Sequence, residues 1–139
     1  MADYAGDVSV KECWDALEKD ARARLVDVRT GAEWAFVGVS DLSSLGKQVD
    51  LNSWVLFPDM SPNADFMPAM ATLSLEKDTP IYFLCRTGAR SKAAAMAMTA
   101  QGYTHCYNIA CGFEGDKDES NHRGHVNGWK AEDLPWEQQ

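Results

Sequence analysis

The sequence is poor in basic residues, in histidine and in long apolar runs. Its 13 lysines and arginines face 21 aspartates and glutamates, giving a formal net charge of −8 and a pI near 4.7. General nucleic-acid binding needs a basic face to neutralise phosphates, so no nucleic-acid partner is expected. No apolar run approaches the roughly 20 residues that cross a bilayer, and no membrane partner is expected either. The first residues carry no basic cluster and no apolar stretch of signal-peptide length, which makes a soluble, cytoplasmic protein the expectation. Internal repeats and low-complexity segments are absent. His122 and His125 stand two residues apart in a Gly-rich polar stretch with no third ligand in the pattern, so no metal is expected. The four cysteines, Cys13, Cys85, Cys106 and Cys111, match no zinc spacing and are expected to stay reduced in a cytoplasmic setting.

What remains is an ordinary globular composition in 139 residues, 45% hydrophobic and 24% charged, enough for one core without staples. A single domain over 1–139 is expected, with 1–8 a loose N-terminus and 112–139 a polar tail packed on the domain by Trp129 and Trp136. Ser9 and Glu12 form a capping box that opens an amphipathic helix over 10–21, with Cys13, Trp14 and Leu17 on one face. Residues 24–28 read as a buried strand, and Thr30 with Glu33 cap a short helix through Phe36. The turn-rich segment 38–63 holds a strand near 48–51. Residues 63–75 suit a helix that Pro68 interrupts unless it begins there. The run 80–84 is continuously apolar, as a strand covered on both faces should be. Residues 91–101 are strong helix formers, Gly102 sits at the expected C-terminal cap, and a further strand covers 105–109. Alternation of strand and helix predicts an α/β domain around a mainly parallel sheet, flanked by helices on both faces.

Cys85 falls where chemistry is expected. It ends a buried strand and precedes a helix, so its sulfur meets loop amides and a helix N-terminus carrying about half a positive charge. Such a place favours thiolate, the nucleophilic form. It also lies beyond the carboxyl end of a parallel strand, where sites in open α/β sheets collect. Gly88 gives the backbone freedom for a tight turn. Arg86, Arg90 and Lys92 fall within seven positions, and no carboxylate occurs between Asp78 and Glu114. An acidic chain that clears carboxylates from this stretch looks prepared for an anion, and guanidinium forks suit sulfonate or phosphate oxygens.

Cys85-Arg-Thr-Gly-Ala-Arg90-Ser91 resembles the active-site loop of single-domain rhodanese proteins, the thiosulfate sulfurtransferases. Leu25-Val-Asp-Val-Arg29, followed by Glu33-Trp34, resembles their first-strand motif, and Asn108 to Gly112, Gly128-Trp129 and Leu134-Pro135-Trp136 also find counterparts. The resemblance spans about Ser9 to Trp136. It implies a single rhodanese-like domain and sulfur transfer through a Cys85 persulfide, from a small anionic donor such as thiosulfate to a thiol or protein acceptor. No cofactor is implied. Arg86 would attract the donor, Thr87, Gly88 and Ala89 would line the loop, and Arg90 would close it and orient the substrate. Asp27, Arg29 and Ser91 would support it. Two departures stand out. Segment 38–57 is an insertion expected to wall one side of the pocket, and Cys111-Gly112 replaces a double glycine. Cys111 is therefore a candidate resolving thiol, against the plainer reading of a small residue filling a turn. Two other functions stay open: a non-catalytic partner-binding module, and a phosphatase-like or arsenate-reductase-like enzyme. Phosphatase loops of this fold have five residues between cysteine and arginine, whereas four separate Cys85 from Arg90.

Overall fold

The computed structural model describes residues 3–138. Five parallel strands make the central sheet: β1 (Gly6–Val8), β2 (Arg24–Asp27), β4 (Asp50–Leu51), β7 (Ile81–Leu84) and β8 (Cys106–Ile109), in the order β1-β8-β7-β2-β4. Two small antiparallel ladders lie outside it, β3 (Val39–Ser40) with β9 (Trp136–Glu137), and β5 (Val55–Leu56) with β6 (Ser61–Pro62). Helices α1 (Val10–Lys19), α2 (Gly31–Phe36), α3 (Phe66–Thr72) and α4 (Ala89–Ala100) complete the fold.

The alternation of side chains along each strand divides the core into two layers. Leu25, Tyr82, Leu84 and Ile109 face α1, where Val10, Cys13 and Leu17 meet them together with Phe113 and Trp129. Val26, Val28, Ile81, Phe83, Cys85 and Cys106 face α3 and α4, against Phe66, Met70, Ala94, Ala95 and Met98. Burying each large aliphatic side chain contributes about 1.5–3 kcal/mol. Cys85 thus belongs to the α4 layer by the parity of its strand.

Local signals place most elements. Ser9 and Glu12 form both bonds of the capping box before α1, and Thr30 and Glu33 repeat it before α2. Several boundaries differ from those read in the sequence. α1 stops at Lys19, not Ala21, because Asp20 turns extended. α3 is shorter than 63–75, and Pro68 sits at its third position, where a missing N–H costs no helical hydrogen bond. α4 starts at Ala89, two residues before the expected Ser91, because Gly88 at φ 113° serves as its N-cap. Of the stretch 1–8, expected to be loose, residues 1–2 lie outside the described residues and Gly6–Val8 form β1, which pairs with β8 in parallel register Gly6↔Tyr107 to Val8↔Ile109. Three residues with one polar edge give no periodic signal, so only the partner strand reveals this one. Trp129 is fully buried and donates from its indole nitrogen to the Pro135 carbonyl at 2.7 Å, while Trp136 remains 39% exposed on β9.

Candidate active site

Strand parity and the tight turn after β7 bring the Cys85 sulfur under the first turn of α4. The Gly88 amide donates to Sγ at 3.0 Å and the Ser91 hydroxyl lies 3.2 Å from it. Cys85 itself is buried. The loop's outer side is clasped by the chain that follows β8: the Phe113 amide donates to the Cys85 carbonyl at 2.8 Å, and the Glu114 and Gly115 amides both donate to the Arg86 carbonyl at 3.1 Å. With those carbonyls held outward, the Gly88 amide turns inward to the sulfur. Two glycines permit this approach. A Cβ on Gly88 would strike the Ala110 carbonyl, and one on Gly112, at φ 70°, would strike the carbonyls of Cys85 and Arg86.

Arg90, the second residue of α4, closes the ring that begins at Cys85, and Glu33 of α2 grips it with a two-pronged ion pair, Nη1–Oε1 at 2.7 Å and Nη2–Oε2 at 2.9 Å. Burial favours the neutral form of each partner. For both, the mutual hydrogen bonds and charge outweigh it, holding the Glu33 carboxyl below its usual range and the Arg90 guanidinium above its own. Arg90 therefore closes the loop onto α2. Arg86 and Ala89 are exposed and Thr87 is half-buried. Among the described residues no ion pair engages Arg86.

On the opposite face of the sheet, Asp27 and Arg29 form a fully buried pair. Arg29 also donates to the Gly38 carbonyl at 2.7 Å and lies 4.2 Å from the centroid of the Phe113 ring. The pair thereby backs the residue whose amide holds Cys85. Ser91 is buried and touches the sulfur directly.

Cys111 is a free, half-buried thiol in the turn after β8. Burial first, then the carboxylates of Asp116 and Glu132, push its thiol above the usual range. Cys13 and Cys106 are buried and their thiols are pushed up by burial, that of Cys106 to about 11. Segment 38–57, expected to wall one side of the cysteine's pocket, lends residues between Val39 and Leu51 to an open groove of about 910 Å³, with Trp34, Ser40, Leu42 and Val49 in its lining. No residue of the 85–90 loop lines it, so this groove is separate from the cysteine's surroundings.

The contacts that three residues make at the site escaped the sequence reading. Glu33 reads as a helix cap, with nothing local to mark it as the partner of Arg90. Asn108 belongs to a recognisable strand, but its contact with Ser91 comes from strand order. Asp7, which bonds Asn108 from β1, has no sequence signal at all.

An α/β domain with a central parallel sheet thus holds a cysteine at the end of β7, ringed by a short stretch that Arg90 closes against Glu33. Comparison places it in a family. The rhodanese-like domain model matches residues 9–119, and the chain belongs to that family. It is 40% identical over 129 residues to an uncharacterised protein of Rickettsia conorii, a match covering 91% of this chain and 92% of the relative. The crystal structure of Rv0390 from M. tuberculosis superposes with a TM-score of 0.89 at 46% identity, over 98% of this chain and 99% of that one. The solution structure of the polysulfide-sulfur transferase homodimer from Wolinella succinogenes matches with a TM-score of 0.64 at 20% identity, covering 99% of this chain and 80% of that one, a likeness of fold.

Proposed function

We propose that the protein is a sulfurtransferase in which Cys85 carries a sulfane sulfur as a persulfide. The observation that carries this reading is the ring itself: a buried sulfur under the start of α4, with the Gly88 amide on Sγ and Arg90 pinned to Glu33. In the first half-reaction the Cys85 thiolate attacks the outer sulfur of thiosulfate. A new S–S bond forms, the bond to the sulfite sulfur breaks, and sulfite leaves with the electron pair. In the second, a thiophilic acceptor attacks the outer sulfur of the persulfide, and the thiolate is restored. This is covalent catalysis by an activated nucleophile, with the Gly88 amide as a preorganised stabiliser of the negative sulfur.

The residues divide the work. Arg86, exposed and next to the nucleophile, draws in the anionic donor. Thr87, Gly88 and Ala89 shape the ring, and Arg90 with Glu33 keeps it closed. Asp27, Arg29 and Ser91 hold its supports. A ring of four residues between Cys85 and Arg90 has room for one added sulfur and favours sulfur transfer over the phosphatase-like alternative. Retention of Cys85, Arg86, Gly88 and Arg90 speaks against a purely non-catalytic module. The Cys111 thiol, pushed up by burial and then by the carboxylates of Asp116 and Glu132, is poorly disposed to resolve a persulfide.

The test is an intact-mass spectrum of the reduced protein after incubation with thiosulfate, run beside Cys85→Ser. One added sulfur atom is expected on the natural protein, removed by cyanide as thiocyanate, and none on the variant. An unmodified protein with thiosulfate, mercaptopyruvate and a low-molecular-weight persulfide as donors would overturn the reading.

A further inference from the structure

The hydrogen bonds of the nucleophile do not end in its loop. From Cys85 Sγ they pass to the Ser91 hydroxyl at 3.2 Å and on to Asn108 Oδ1 at 2.5 Å. Asn108 Nδ2 then donates to Asp7 Oδ1 at 2.9 Å, and the Tyr4 hydroxyl donates to the same oxygen at 2.8 Å. Ser91 and Asn108 are buried, whereas Asp7 is exposed on the edge strand β1.

Donor and acceptor chemistry leaves this chain one direction. A carboxylate only accepts, so Asn108 must turn its amino group to Asp7 and its oxygen to Ser91. A hydroxyl has one proton, and the short contact with Asn108 Oδ1 takes it. The Gly88 carbonyl, 3.2 Å away, is a second acceptor for that same proton. Toward the sulfur, Ser91 is left with a lone pair. That arrangement accepts an S–H proton and opposes a bare thiolate.

We propose that Asp7 is a positioning residue for the nucleophile: through Asn108 and Ser91 it orients the chain so that Cys85 rests as a thiol, and ionisation requires the Ser91 hydroxyl to swing from Asn108 to the sulfur. The proposal rests on the reading of Cys85 as the nucleophile. On ionisation the S–H proton leaves to the buffer, the hydroxyl proton moves its hydrogen bond from Asn108 Oδ1 to Sγ, and no electrons change hands.

The other groups near the sulfur act in the opposite sense or are already engaged. The Gly88 amide donates to it, the Arg90 guanidinium is paired with Glu33, Arg86 is exposed, and Asp27 is paired with Arg29 across the sheet. Around Asp7 stand Asn108, Tyr4 and Lys92. The Asn108 hydrogen bond foremost, then those of Tyr4 and the charge of Lys92, hold its carboxyl below the usual range, so the acceptor end of the chain is ionised at neutral pH. One exposed carboxylate thereby biases a buried sulfur on the next strand but one.

The test follows carbamidomethylation of Cys85 by iodoacetamide against pH, read on the Cys85 peptide by mass spectrometry. It compares the natural protein, Asp7→Asn, Ser91→Ala and the double variant. Asp7→Asn keeps the side chain's size and lets Asn108 turn its amino group to Ser91, which releases the hydroxyl toward the sulfur. The expected result is a midpoint about one pH unit lower in Asp7→Asn, seen as roughly tenfold faster alkylation below the midpoint. The same substitution should change nothing in the Ser91→Ala background. A bare charge effect of Asp7 would persist without Ser91, so an equal shift in both backgrounds overturns the proposal, as does no shift in the natural background. Asn108→Ala breaks the chain one link further out and serves as the second background should Ser91→Ala fail to fold by circular dichroism. Alkylation needs no sulfur donor, so its outcome is separate from that of the persulfide experiment.

Discussion

Glu33 serves two elements with one carboxylate. Its Oε1 accepts from the Thr30 amide at the start of α2 and from Arg90 in the first turn of α4, and Oε2 accepts from Arg90 as well. The pair is largely shielded, with 18% exposure on each side chain, so it is a charge-assisted bond of more than surface strength. Because the folded carboxyl is held below its ordinary range, its stabilisation is present in full above the usual glutamate pKa of about 4.3. It is lost as pH falls through the lowered folded value. Glu33→Gln should therefore be less stable by about 1–2 kcal/mol at pH 7, and the gap should narrow as pH falls below about 4.3. Urea unfolding of both proteins at pH 7 and pH 3.5 checks this; an undiminished gap at the lower pH would contradict it.

At the scale of elements, the cysteine loop is held from behind by the sheet's other layer. Arg29 lies under the Phe113 ring, and the Phe113 amide holds the Cys85 carbonyl, so a buried ion pair at the end of β2 reaches the turn after β7 through one aromatic residue. Removing the cation alone leaves Asp27 buried and uncompensated. Arg29→Met is expected to cost roughly 3–5 kcal/mol, whereas the double variant Asp27→Leu with Arg29→Met, which buries no orphan charge, should cost clearly less. Chemical denaturation of the single and double variants decides it. A double variant as damaged as the single one would show that the bonds from Arg29 to Gly38 and around Phe113 dominate, not the charge.

At the scale of the molecule, the family match ends at residue 119 while the core does not. Trp129 is fully buried with Leu25, Tyr82, Leu84 and Phe113, and lies edge-on to Trp14 of α1 with ring centroids 5.9 Å apart. Its amide donates to the Gly112 carbonyl at 2.9 Å, which ties the last segment to the turn that clasps the cysteine loop. A chain cut after Glu119 removes this side chain and β9 together. Loss of a buried tryptophan alone costs about 3–5 kcal/mol, a large share of the 5–15 kcal/mol of a typical domain. Such a truncation is expected to lose its cooperative thermal transition by circular dichroism; a sharp transition within a few degrees of the full chain would refute it.

Much of this protein is legible without coordinates because the signals are contiguous. The apolar run into Cys85, the glycine three residues on and the alanine-rich helix after it are neighbours in the chain, and each enforces its conformation locally. Both capping boxes are likewise four-residue patterns. The layer that Cys85 faces follows from its parity with Ile81 and Phe83 once the strand is known. What the tertiary structure alone decided is which distant side chains complete the site. Glu33 and Arg90 are 57 residues apart and Asp7 and Asn108 are 101 apart. These pairs exist because the sheet order puts the first strand beside the last and turns α2 toward the loop. Strand order depends on which apolar faces find cover in the whole fold, and no short window of residues contains that information.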